Sequence, residues 1–221
     1  LNSRKLVNFL FKTLIIGGIA GLVISFFVQA EVYAANLSPF NIMEILGLIV
    51  FNIGLGFTFS ALSMTGFFAY LFIHRFGLGF FRSFWPAVQV LLIAFILFDL
   101  VYFPYKAADG ETSLIWFIFM AAALLVYGLI IAQIKAKGTN KHAFIPALFL
   151  MVVMTTIEWV PGLQTEGSNY AWLMIAPLLA CNTYQLLALH RVTKVDEKKT
   201  TEHTKKKETP TSAKKVGTSK A

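Results

Sequence analysis

Asp99 stands where its surroundings cannot solvate a carboxylate, and two further acids, Glu44 and Glu158, mark the ends of apolar runs. Asp99 lies in Phe98-Asp99-Leu100-Val101-Tyr102-Phe103, four residues inside the last aromatic of an apolar run. That is roughly 6 Å below its end at 1.5 Å per residue. Glu158 follows 15 residues without a charge, and Glu44 precedes thirty residues, 45–74, without Asp, Glu, Lys or Arg. An ionised carboxylate in hydrocarbon costs at least about 2.5–3.5 kcal/mol. Asp99 must therefore face other helices, be paired, or hold a proton. No base lies at its depth. Lys106, beyond the end of the run, is the nearest cation in sequence, and Tyr102, Tyr105, Thr155 and Thr156 are the other available partners. Together Glu44, Asp99 and Glu158 could line a pocket for a cation or a proton. The competing reading makes Asp99 a structural hydrogen-bonder and leaves Glu158 at the membrane interface.

The other reactive residue types form no recognisable centre. His74, His142 and His190 each close an apolar run on its basic side. A helix dipole favours them there, and no HExxH spacing supports a metal. Cys181 is the only cysteine, which excludes an internal disulfide and a cysteine-based zinc site. The sequence has no glycine-rich phosphate loop and no Ser/His/Asp ordering, and Ser60 and Ser63 lack a nearby base. No enzymatic activity, cofactor or metal is expected.

The elements that must carry these residues are membrane spans. The chain of 221 residues is 57% hydrophobic and 14% charged, against about 45–50% and about 25% in soluble domains. A span needs roughly 20 apolar residues. The expected class is all-α: a polytopic six-transmembrane-helix bundle, with spans about 6–29, 44–74, 84–103, 114–134, 143–160 and 170–189. The first apolar run is too long for a removable signal peptide and lacks a small-residue cleavage site before the next charge, so it is expected to remain as a span. Residues 44–74 are expected to be one long helix, because two spans and a turn need about 40 residues. Residues 31–41, with Pro39, read as a loop. Pro161-Gly162 reads as the end of span five.

Charge orients the bundle. Eighteen of the 19 Lys/Arg fall at the N-terminus, in 75–83, in 135–142 or in the tail, and the acids before the tail all fall on the opposite side. Lys/Arg bias sets orientation, so both termini are expected in the cytoplasm. The net charge of +8 divides into +6 for residues 191–221 and +2 for the rest, so the base belongs to a tail beside the lipid bilayer and no nucleic-acid partner is expected. That Lys-rich tail lacks apolar periodicity and reads as disordered. Small residues mark helix packing. Gly17 and Gly21 sit four apart in span one; Gly47, Gly54 and Ala61 recur every seven residues in span two, with Gly56 and Ser60 as a second stripe. Close approach of helices in lipid uses such residues, and span two is expected to be the central packing helix. Asn52, Gln89, Asn182 and Gln185 are expected to be buried amides joining helices.

Four segments carry a resemblance. Asn2-Ser3-Arg4-Lys5-Leu6-Val7, Gly17-Gly18-Ile19-Ala20-Gly21, Phe98 to Pro104 and Glu158-Trp159-Val160-Pro161-Gly162 are similar to the KinB-signalling pathway activation (KbaA-like) proteins of spore-forming bacilli. The resemblance covers roughly residues 1–195 and leaves out the tail. It implies a six-span, non-enzymatic cell-membrane protein that helps a membrane sensor histidine kinase, KinB-like, drive the phosphorelay that starts sporulation. It brings no catalytic residue. Two rivals stand beside it: a small proton- or cation-coupled transporter using Asp99 and Glu158, and a purely structural assembly factor.

Overall fold

Helices account for nearly all the regular structure, as the apolar composition requires where backbone groups must be satisfied within each segment. The computed structural model describes residues 3–37, 40–108, 113–164 and 168–207, apart from the side chains of Ser3, Ser168 and residues 190–207. The helices are α1 (Ser3–Val28), α2 (Ala30–Leu37), α3 (Ile42–Phe81), α4 (Trp85–Ala107), α5 (Leu114–Gly138), α6 (Phe144–Phe149), α7 (Thr155–Leu163) and α8 (Ser168–Lys207). An isolated β-bridge joins Leu37 and Phe40.

Among the described residues five stretches are long and apolar enough to cross a membrane: Arg4–Val28, Ile42–Ala107, Leu114–Gly138, Lys141–Leu163 and Asn169–Leu189. The protein is thus an all-α, multi-pass membrane protein. The second stretch has 66 residues, about 99 Å if straight, against a hydrocarbon core of about 30 Å. It is not straight. Arg82 takes a positive φ of 50°, and a 3₁₀ turn, Arg82–Phe84, leads into α4 with Pro86 in its first turn. Trp85 Nε1 donates to His74 Nδ1 at 3.1 Å, and the Trp85 ring lies against Gly77. A straight helix would hold residues eleven apart about 16 Å from each other. The start of α4 therefore folds back along the end of α3.

Local chemistry explains where the elements depart from the sequence expectations. Residues 30–37, expected within or beside a loop, form α2, with Glu31 in its first turn, where a carboxylate suits the dipole. Tyr33 pins α2 to α1 by a 3.1 Å hydrogen bond between its hydroxyl and Ser25 Oγ. Pro161 lies inside α7, which runs on to Leu163 instead of ending at Val160. α8 continues in backbone to Lys207, into the segment from residue 191 that reads as disordered in sequence; its side chains from His190 onward are not described, and the rest of the expected tail, residues 208–221, lies outside the described residues.

The rod at the centre is not α3. In the apolar window of Lys141–Leu163, 67% of residues are buried, against 22% for that of Ile42–Ala107. α6 and α7 are joined there by one wide π-helical turn, Leu150–Met154, whose five residues are all at most 5% exposed. Such turns insert one residue into the helix, which rotates the face that follows, and are common at functional sites. Here the shift lies between Phe149 in one core cluster and Trp159 in the other.

Candidate functional site

Glu158 is buried in a polar knot formed by three helices. Asn182 of α8 is its centre. Asn182 Nδ2 donates to Glu158 Oε2 at 2.8 Å and to Thr155 Oγ1 at 2.9 Å. Asn182 Oδ1 accepts from Ser63 Oγ of α3 at 2.8 Å, and Ser63 Oγ accepts from Gln185 Nε2 at 3.1 Å. All five side chains are at most 4% exposed. Glu158 Oε1 and Gln185 Oε1 have no partner. Glu158 Oε1 lies so close to Gly66 of α3 that a Cβ there would fall on it; glycine is what admits the carboxyl group. The knot joins α3, α7 and α8 by hydrogen bonds between buried side chains, where an unmade bond is expensive. Beside it, Cys181 Sγ lies 3.5 Å from both Ser60 Oγ and the Thr13 carbonyl oxygen, which brings in α1.

Asp99 belongs to a different place. It is half-buried in a cleft between α4 and α7, lined also by Leu100, Phe103, Thr156, Val160 and Gln164. At about 100° per residue, Thr156, Val160 and Gln164 occupy one face of α7. Thr155, Glu158 and Trp159 occupy the other and are buried. Asp99 and Glu158 thus stand on opposite sides of one helix, and no shared cavity connects them. Among the described residues Asp99 has no hydrogen-bond or ion-pair partner. Glu44 is exposed in the first turn of α3, its backbone N–H 3.4 Å from the capping Asn41 Oδ1. Gly66, which touches Glu158, is 22 residues further along that helix, about 33 Å away at 1.5 Å per residue. The three acids therefore do not form one pocket, and the relay that a transporter would need is not assembled.

The small residues fall on two faces of α3. Gly17 and Gly21 of α1 pack on Gly56, Ser60 and the Asn52 carbonyl. There the backbones of α1 and α3 nearly touch. Gly47 and Gly54 have nothing within 4 Å of where a Cβ would lie, and Ala61 is exposed. This stripe faces outward, on the side of α3 opposite to Gly56 and Ser60.

One position was not visible as a partner in the sequence. Lys135, expected in a basic loop, is in α5, only 8% exposed, and donates to the Leu186 carbonyl at 2.6 Å. Of the amides expected to join helices, Gln89 is fully buried with neither amide atom partnered among the described residues, whereas Asn52 bonds Gln29 at 2.9 Å and joins α3 to the end of α1. His74 is taken up by Trp85. Among the described residues no group of three His, Cys, Asp or Glu could hold a metal ion.

With the geometry in place, comparison with known proteins gives one consistent answer. Residues 17–192 match a protein family described as KinB-signalling pathway activation in sporulation. The KinB-signaling pathway activation protein of Bacillus subtilis (strain 168) is 38% identical over 193 residues, covering 86% of this chain and 97% of that protein. No solved structure matches the chain.

Proposed function

This chain belongs to the KinB-signalling pathway activation family, and from that premise we propose that it activates a KinB-like sensor histidine kinase pathway by lateral contact inside the bilayer. It is a sporulation-associated signalling accessory, and its family is one of activators rather than enzymes. The observation that carries the contact mode is the extent of the match. The shared region spans residues 17–192, so it takes in most of the helical bundle, from the middle of α1 into α8, and leaves out the Lys-rich end. What the relatives have in common is the bundle, and a bundle with short connections offers a kinase mainly helix faces.

In the proposed arrangement the chain crosses six times with both termini in the cytoplasm. The reversal at Arg82 supports dividing the 66-residue stretch into two crossings, and the Lys/Arg distribution supports the orientation. Glu44 then lies at the outer surface. The contact surface we propose is the open stripe of Gly47, Gly54 and Ala61, onto which a partner helix can pack closely. Gly17 and Gly21 are not available for it, because α3 already covers them. Glu158 is proposed as a structural joint.

The test is complementation of a deletion strain with Gly47→Leu and Gly54→Leu chains, at matched membrane levels. The expected result is loss of kinase-dependent sporulation, with in-membrane crosslinking from the exposed position 58, one turn on, recovering a histidine kinase from the chain that keeps Gly47 and Gly54 and not from the leucine variants. Full complementation by the double variant would refute the contact surface.

A further inference from the structure

The Asp99 cleft is a cavity of about 630 Å³, within the range of about 300–1,000 Å³ that small-molecule sites occupy. It runs along α4 from Ile96 to Ala107 and along α7 from Thr156 to Gln164, with Asp99 and Thr156 toward one end and Ala107 and Gln164 at the other. Its walls are apolar side chains. Its polar groups at the Asp99 end are acceptors. The Asp99 carboxylate has no hydrogen-bond or ion-pair partner among the described residues. Lys106 does not serve it: that ammonium lies 5.9 Å from the centre of the Tyr102 ring. The Leu100 carbonyl lacks its helical donor, because Pro104, four residues on within α4, has no N–H. The Thr156 hydroxyl donates to the Val152 carbonyl at 2.7 Å, which leaves its oxygen lone pairs to accept. Among the described residues no Lys, Arg or His lines the cavity, and the one amide that does, Gln164, lies at the far end.

A negative charge and further acceptors at the end of an apolar cleft call for a cationic donor with an apolar body. We propose that this cleft binds an organic ammonium ion bearing an alkyl chain, its N–H groups on Asp99 and its chain along Leu100, Phe103 and Val160. The ammonium of an aminophospholipid and that of a free alkylamine share this chemistry. The proposal stands apart from the signalling role, since binding needs no kinase.

The experiment is saturation binding of labelled n-octylammonium to the full chain in phosphatidylglycerol nanodiscs, corrected for empty discs, with n-octanol and n-octanoate as neutral and anionic competitors. Saturable binding is expected, displaced by neither competitor at equal concentration. Asp99→Asn, which keeps the shape and removes the charge, should weaken it about tenfold or more, the worth of a hydrogen bond to a charged group. Val160→Trp, which fills the cleft and leaves Asp99 intact, should weaken it to a similar degree and serves if the first variant does not fold. Repeating the titration in discs containing phosphatidylethanolamine separates the sources. A fall in apparent affinity assigns the site to the lipid ammonium, and an unchanged affinity assigns it to a free amine. Equal displacement by n-octanol, absence of saturable binding, or unaltered affinity in folded Asp99→Asn would overturn the proposal.

Discussion

Replacing Gly56 by alanine tests the packing directly, because Gly54, two residues away on the same helix, is its control. A Cβ on Gly56 would meet Gly18 Cα at 2.9 Å and fall on the Gly17 carbonyl oxygen. Both obstacles are backbone, so no rotamer change can relieve them. To restore ordinary contact at about 3.4 Å, α1 must retreat from α3 by half an ångström or more. A gap of that size forfeits a quarter to a half of each attractive contact. The loss spreads along the α1–α3 seam, from Phe9 against Phe67 to Gln29 against Asn52. Overpacking of a tight interface costs about 1–3 kcal/mol, and the backbone obstacle puts Gly56→Ala in the upper half of that range. At Gly54 an added methyl meets nothing within 4 Å, and alanine is the better helix former by about 1 kcal/mol. Gly54→Ala should therefore be neutral or stabilising. Reversible unfolding in mixed detergent micelles, with both variants purified in parallel, reads the difference. Equal stabilities, or a less stable Gly54→Ala, would refute the assignment of the two faces of α3.

Two further outcomes follow from the polar knot. Gly66→Ala should destabilise the bundle, and Glu158→Ala in the same chain should recover part of that loss, because the clash is with the Glu158 carboxyl; additive effects in the double-mutant cycle would show that the two do not touch. Asn182→Leu keeps the volume and removes the hub, yet Ser63 retains Gln185 and Thr155 retains the Leu150 carbonyl, so we expect a loss of about 2–3 kcal/mol rather than the sum of three orphaned groups, measured by the same unfolding assay.

The class of the fold was legible because hydrocarbon is an undemanding solvent to predict: a run of about 20 apolar residues without charge has few other uses. The family was legible in short segments such as Glu158-Trp159-Val160-Pro161-Gly162. The neighbours of each residue were not. Spacing shows that Gly47, Gly54 and Ala61 share a face, and equally that Gly56 and Ser60 do. It does not show which face meets α1, because lipid tails and helix interiors are alike apolar and leave no polarity contrast to read. The same blindness placed Glu158 beside Asp99 as a second outer acid. Registering Glu158 against Gly66 and Asn182 needs the antiparallel alignment of α7 with α8 and the one-residue shift of the π turn at Leu150–Met154, neither of which has a sequence period. Lys135 was assigned to a loop because lysine is rare inside a bundle; its reach to the Leu186 carbonyl is a tertiary fact.

α3 thus carries two stripes of small residues, and only one is explained by the chain itself. Gly56 and Ser60 let α1 approach, and Gly66 admits a carboxyl group. Gly47 and Gly54 admit nothing from the described residues of the chain. Each glycine in a helix interior forgoes about 1 kcal/mol relative to alanine, and in the first stripe the close contact with α1 offsets that loss. The second stripe carries the same penalty without a contact of its own. The compensation must then come from outside the chain, and for an outward face in the bilayer the available surfaces are lipid tails or another helix. Lipid tails gain nothing from the absence of a methyl group. A helix does, since it can approach to backbone distance. That is the physical ground for proposing the side of α3 turned away from the bundle as the surface a partner helix in the membrane would recognise.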